Sequence, residues 1–164
     1  MLSKEEFKEL YDRYFDQIRT FILYRCGNVG MSTDMAQDVF TKIWEKRDQW
    51  SNHNMKSLLY KIANDVVISN YRKSKSHADF VQNMMFQVNG TVSPEEELIF
   101  EEMALLYAKA LEKMPETQRT VFLMSRNDEL KYHEIAKCIN ISVKTVEKRM
   151  SAALKFLRTE LLSS

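Results

Sequence analysis

Glycine and proline are scarce, three and two among 164 residues. With so few breakers and strong helix formers throughout, an all-α chain is expected. There is no apolar run approaching the ~18 residues of a membrane-spanning helix. The stretch Met1 to Asp12 is charged and amphipathic, without the apolar centre and small-residue cleavage site of a signal peptide. Only two cysteines occur, Cys26 and Cys138, far apart in sequence. They read as small buried hydrophobes of a reduced, cytoplasmic protein. The three histidines, His53, His77 and His133, do not cluster. His133-Glu134 begins like a zinc-protease signature, but Lys137 stands where the second histidine belongs. No glycine-rich phosphate loop is present. These absences exclude a metal site, a cofactor, a small-molecule substrate and a catalytic set, so an enzyme is not expected.

Net charge is also small, +1. It is unevenly distributed. Residues 1–76 carry 13 basic against 10 acidic side chains (+3), residues 77–130 carry 4 against 10 (−6), and residues 131–164 carry 7 against 3 (+4). Two basic ends flanking an acidic middle suggest that separate segments meet separate partners. The acidic middle, Glu95 to Glu97 with Glu101 and Glu102, reads as a solvated face.

Hydrophobic spacing places the helices. Phe7, Leu10, Tyr11, Tyr14, Phe15, Ile18, Phe21 and Ile22 recur at steps of three and four, one apolar stripe on a first helix. Gly27 and Gly30 bracket a turn, after which Ser32 or Thr33 is expected to cap a second helix. Its inner face would be Met35, Ala36, Val39, Phe40, Ile43 and Trp44. Residues 51–54 read as a loop. A third helix, roughly 55–72, turns Leu58, Leu59, Ile62, Ala63, Val66 and Val67 inward and ends in the basic cluster Arg72, Lys73 and Lys75. Residues 77–92 show no clean period and read as a flexible linker. Sixteen residues at ~3.3 Å each span up to ~50 Å, more than the ~34 Å rise of one DNA turn. Ser93-Pro94-Glu95-Glu96 is a capping box with proline at the first helical position, opening a helix to about Lys113. Pro115 begins another, with Val121, Phe122 and Met124 as core residues. Two further helices, about 131–138 and 143–160, flank Asn140.

Tyr132 to Leu157 is the most informative stretch. A helix-turn-helix needs a small residue where its helices cross, and Ala136 is there. Its tight turn needs a residue tolerant of the left-handed conformation, and Asn140 follows four positions on. Ile135, Ile139, Ile141, Val146 and Leu154 supply a buried corner. Ser142 caps the second helix, whose first residues would face base edges in a major groove. The polar set available there is Ser142, Lys144, Thr145, Glu147, Lys148 and Arg149. Any one of these charges alone would ordinarily be a solvated surface residue; the ordered pattern carries the reading.

The C-terminal half resembles the promoter-binding fourth region of extracytoplasmic-function (ECF) sigma factors, of the sigma-70 family. The lead-in EKMPETQRTVF, Glu112 to Phe122, is similar to that family's "LP…R.VF" helix. The phrase SVKTVEK, Ser142 to Lys148, is also close to the output domain of two-component response regulators, so the C-terminus alone does not decide. The N-terminal half does. DMAQDVFTKIWEKR, Asp34 to Arg47, resembles the sigma segment that grips the clamp coiled coil of core RNA polymerase. By that resemblance Asp34, Gln37, Asp38, Thr41 and Lys42 form the contacting face, and their spacing independently puts them opposite the apolar stripe. LLYKIANDVVISNYRK, Leu58 to Lys73, resembles the helix that opens the −10 promoter element. Melting needs a positive surface for the backbone and a pocket or stacking surface for an extruded base. Lys56, Lys61, Arg72, Lys73 and Lys75 suit the phosphates; His53, Asn54 and Tyr60 are candidates for base contact. Tyr71 falls where a core residue is usual. Asp65 departs from the family, which usually carries Asn there; it either accepts from a cytosine amino group or that contact is missing.

The resemblance implies two small helical domains, 1–76 for the polymerase clamp and the −10 element and 94–164 for the −35 element, joined by residues 77–93. It implies core RNA polymerase and promoter DNA as partners, with an anti-sigma factor as inhibitor. The SVKTVE phrase resembles versions common in Bacteroidetes. The competing reading is a free-standing helix-turn-helix regulator, which predicts a dimer on a palindromic operator; no dimerisation heptad is visible. A third is an interaction module such as an anti-sigma decoy, which would keep the clamp-facing helix and need no DNA.

Overall fold

The computed structural model describes residues 1–50, 54–70 and 94–163, with side chains in its fourth helix from residue 101 onward. All regular structure in these residues is helical. α1 (Lys4–Cys26) starts in a capping box: the Ser3 hydroxyl accepts from the Glu6 N–H at 3.1 Å and the Glu6 carboxylate accepts from the Ser3 N–H at 2.8 Å. It stops at Gly27, whose φ of 71° is open to a residue without Cβ. α2 (Val29–Glu45) begins at once, because the Asn28 side chain accepts from the Met31 N–H at 2.9 Å. The expected cap at Ser32 or Thr33, and a turn reaching Gly30, are therefore corrected. Gly30 lies inside the first turn of α2, and Ser32 is fully buried, donating to the Val29 carbonyl at 2.8 Å. A helix cap needs only one acceptor beyond a left-handed residue, and Asn28 supplies it four residues earlier than the apolar spacing suggests. A short 3-10 turn, Arg47–Gln49, follows. α3 (Met55–Asn70) is capped by Asn54, which accepts from the Ser57 N–H at 3.2 Å.

The C-terminal half runs through α4 (Pro94–Lys113), α5 (Glu116–Phe122), a π-helical turn (Leu123–Asn127), α6 (Tyr132–Ile139) and α7 (Val143–Leu162). The capping box expected at Ser93 involves residues outside those described. The π turn was not expected; it leads into Glu129, whose φ of 58° reverses the chain ahead of α6.

Packing follows the apolar stripes. Leu10, Ile18, Phe21 and Ile22 of α1 are buried against Met35, Ala36, Val39, Phe40 and Ile43 of α2 and Leu59, Ala63, Val66 and Val67 of α3. Phe7, Tyr11, Tyr14, Phe15, Leu58, Ile62 and Trp44 are only half-buried. Val121, Phe122 and Met124 are buried with Ile135, Val146, Met150, Ala153 and Leu157 in the second half. The two halves are not separate cores. One continuous cluster runs through both, because α3 lies along α6 and α1 touches α5.

Candidate nucleic-acid interface

α2 presents its polar face as the spacing predicts. Asp34, Gln37, Asp38, Thr41 and Lys42 are all exposed, while the residues between them are buried. None is drawn into an ion pair recorded among the described residues. Beside this face, between α1 and α2, lies a groove of about 530 Å³ walled by Phe7, Tyr11, Phe40 and Trp44. Phe7 and Trp44 pack with ring centroids 5.0 Å apart, and the Arg47 guanidinium sits 4.2 Å above the Trp44 ring. Trp44 is thus held at the edge of the core, half-buried.

α6 and α7 form the helix-turn-helix. Asn140 takes the left-handed conformation, φ 54° and ψ 52°, and its N–H donates to the Ala136 carbonyl. The Ile141 N–H donates to the same carbonyl at 3.0 Å. Ala136 is the small residue at the crossing, and Ile135 and Val146 have no exposed surface. Ser142 caps α7, its hydroxyl accepting from the Thr145 N–H at 3.1 Å. Ser142, Lys144, Glu147 and Lys148 are exposed; Thr145 and Arg149 are half-buried. Thr145 is turned toward Ser142, their hydroxyls 2.8 Å apart. Arg149 lines a cleft of about 200 Å³ that it shares with Arg25, Asn64 and Glu116.

The expected −10 set divides. Lys61 and Asp65 are exposed and Lys56 half-buried on α3. His53, Arg72, Lys73 and Lys75 lie outside the described residues, as does Tyr71. Asn54 is exposed but used at both ends: while its carbonyl caps α3, its amide donates to the Glu134 carboxylate of α6 at 2.6 Å. Tyr60, expected as a base contact, has no exposed surface in this arrangement. Its ring meets Phe21 edge-on at 5.2 Å, and its hydroxyl donates to Asp128 at 2.6 Å. An aromatic with a polar tip is buried readily once that tip finds an acceptor, and Asp128 provides one from the other half of the chain.

The polar contacts that sequence reasoning missed are those at and beside the junction of the halves. Arg25, 4% exposed, donates to Asn64 at 2.7 Å and forms an ion pair with Glu116. The Cys138 thiol donates to the Ser57 carbonyl at 3.2 Å. Burial pushes the Asp128 carboxyl up to about 7, opposed by the Tyr60 hydrogen bond and the charge of Lys56. Burial likewise raises Tyr60, Cys26 and Cys138, favouring the protonated form of both thiols. Among the described residues, no cluster of His, Cys, Asp or Glu could hold a metal ion, and no helix is long and apolar enough to cross a membrane.

Comparison with known proteins matches both halves. Residues 10–77 match the family model of sigma-70 region 2, and residues 104–157 match that of sigma-70 region 4. The chain is 28% identical to the ECF RNA polymerase sigma factor SigW of Bacillus subtilis, covering 97% of this chain and 90% of that one. Among solved structures, it resembles the sigma factor RpoE of Bartonella quintana, crystallised with the anti-sigma factor NepR. The TM-score is 0.72 at 22% identity, over 96% of this chain and 97% of that one. It also resembles CnrH, solved in complex with the cytosolic domain of CnrY, with a TM-score of 0.74 at 18% identity over 99% and 91% of the two chains.

Proposed function

We propose, for a chain that belongs to the ECF subfamily of sigma-70 factors and acts as an alternative sigma factor in promoter-specific transcription initiation, a division of labour among its helices. Residues 1–76 form the unit for the polymerase clamp and the −10 element, residues 94–164 that for the −35 element, and residues 77–93 connect them. Asp34, Gln37, Asp38, Thr41 and Lys42 dock on the clamp coiled coil of core polymerase. The observation that carries this is the exposure of all five on one face of α2, opposite a fully packed stripe.

Ser142, Lys144, Thr145, Glu147, Lys148 and Arg149 read the −35 element from the start of α7. The helix N-terminus and the lysines fix the phosphate backbone, and the side chains nearest the cap reach base edges. Lys56, Lys61, Arg72, Lys73 and Lys75 hold the backbone at the −10 element, with His53 and Asn54 contacting bases and Tyr60 doing so only once it leaves its buried place beside Asp128. Asp65, exposed on the same helix, accepts from a cytosine amino group and sets a −10 preference of its own. The chain positions polymerase; the bond-making belongs to the polymerase. It works in the cytoplasm under an anti-sigma factor, the kind of partner with which the RpoE neighbour was solved. Its SVKTVE phrase supports a likeness to Bacteroidetes relatives.

The test is transcription by core polymerase with the purified chain on a genomic promoter library, with the transcript 5′ ends sequenced. Starts downstream of one shared two-part motif, abolished by Asp38→Arg and weakened at the upstream element by Lys148→Ala, are expected. An inactive polymerase together with duplex binding by the chain alone would replace this reading with a free-standing regulator.

A further inference from the structure

Where α3 lies along α6, the seam between the two halves holds a groove of about 480 Å³. Small-molecule sites fall in this size range and favour junctions between domains. The floor of the groove is apolar, made by half-buried Leu58 and buried Cys138. Its rim is polar and carries Lys61 from α3 and His133 and Lys137 from α6, all three exposed. Exposed lysines are usually no more than a solvated face. These two come from different halves of the chain and converge on one concavity. A concave surface with an apolar floor focuses the field of the charges on its rim.

The groove contains one carboxylate, Glu134, and both of its oxygens are engaged by neutral donors. One accepts from the Asn54 amide at 2.6 Å and the other from the Lys131 N–H at 3.1 Å. Neither Lys61 nor Lys137 enters an ion pair recorded among the described residues. Asp65 stands one turn further along α3 and does not line the groove. Two ammonium groups against one carboxylate leave a positive excess on the rim. The lysines offer six N–H donors and His133 at least one more. The Ser57 hydroxyl and the Asn140 amide complete a lining suited to a hydroxyl-bearing group.

We propose that this groove binds a phosphate-bearing small molecule of about mononucleotide size, its anionic end held between Lys61 of α3 and Lys137 of α6. The rest of the ligand lies over Leu58 and Cys138. A ligand held in this way touches both halves, so its binding energy adds to the contact of α3 with α6. Lys61 is also assigned above to the −10 backbone. The shared chemistry is the phosphate group, and its two sources, a free metabolite and a nucleic-acid strand, are separated by the probes.

The test is titration calorimetry of the full chain at fixed ionic strength, with inorganic pyrophosphate, ADP and a single DNA strand as probes. Saturable one-to-one binding of ADP with a Kd at or below ~1 mM is expected, with pyrophosphate binding more weakly. Lys61→Ala and Lys137→Ala should each weaken ADP roughly 10-fold, the effect of one lost charge-assisted hydrogen bond. Lys155→Ala, exposed on α7 and outside the groove, should leave it unchanged. At about 100 times Kd, ADP should raise the melting temperature by roughly 5–10 °C. Unsaturable binding, or an equal loss in Lys155→Ala, overturns the proposal, because attraction to charge alone would then account for it. Binding of the DNA strand that depends on both lysines, without saturable binding of ADP or pyrophosphate, also overturns it and assigns the lysines to nucleic acid. A measurement on the unmodified chain guards against a folding defect in the variants. ADP should slow acetylation of Lys61 and Lys137 but not of Lys155, read by mass spectrometry. Equal protection of all three lysines, or of none, overturns the proposal.

Discussion

Tyr60→Phe isolates one hydrogen bond across the seam and makes a pH-dependent prediction. The phenylalanine keeps the ring against Phe21 and removes only the hydroxyl, which donates to Asp128 Oδ1 at 2.6 Å. The other carboxyl oxygen, Oδ2, is buried without a hydrogen-bond partner among the described residues. Desolvation raises Asp128 from its ordinary 3.8 to about 7. A raised carboxyl makes its stabilising contribution in full below the ordinary value, and that contribution is lost as pH rises through about 7. Moving from 3.8 to about 7 corresponds to a contribution of roughly 4 kcal/mol at most. Above about 7 the native chain holds a buried carboxylate, and the Tyr60 hydroxyl is its donor. Removing a donor from a buried charge costs roughly 2–3 kcal/mol, whereas removing one from a neutral group costs about 1 kcal/mol. Urea denaturation of both proteins should therefore show a loss of roughly 2–3 kcal/mol at about pH 8 and only about 1 kcal/mol at about pH 5.5. For a chain of this size the larger loss corresponds to a melting temperature lower by roughly 4–12 °C. An equal loss at both pH values, or a larger one on the acid side, would refute the assignment of Asp128 as the titrating partner.

Other substitutions probe separate links. Asn140→Ala places a Cβ-bearing residue without a helpful side chain at φ 54° and should cost about 1–2 kcal/mol in urea denaturation, while Asn140→Gly should cost nothing measurable. Ser142→Ala removes the acceptor for the Thr145 N–H and should destabilise by about 1 kcal/mol, read by the same assay. Asp38→Arg changes an exposed residue, so it should leave the melting temperature within about 1 °C while weakening association with core polymerase at least ~10-fold in a pull-down titration. Lys148→Ala should weaken −35 DNA binding and lower the slope of log affinity against log salt by about 1, the signature of one lost phosphate contact.

The helices were largely legible because their information is local. The stripe from Phe7 to Ile22 fixes α1 and its buried face, and the triad Ala136, Asn140 and Ser142 fixes the crossing, the left-handed turn and the cap of the helix-turn-helix. Each of those features is satisfied within four residues of itself. The error at the start of α2 belongs to the same scale. A glycine in the left-handed conformation followed by Asn28 closes a turn in two residues, whereas Ser32, a good cap by residue type, is needed inside as a buried hydroxyl.

What could not be read is what joins distant parts of the chain. Tyr60 and Asp128 are 68 residues apart, Asn54 and Glu134 are 80 apart, and Arg25 and Glu116 are 91 apart. No periodicity links such pairs. A lone Arg25 on α1 reads as a solvated charge until its partners are in place, and Tyr60 reads as an accessible aromatic until Asp128 accepts a hydrogen bond from its hydroxyl. A buried polar residue announces itself only through its partner, and the acceptor of Tyr60 and the ion-pair partner of Arg25 lie in the opposite half of the chain. The same fact explains why sequence reasoning found residues suited to DNA but not their state. Chemistry suited to phosphates and bases is also suited to carboxylates and amides of the same chain, and which set a side chain meets is decided by the packing of α3 on α6.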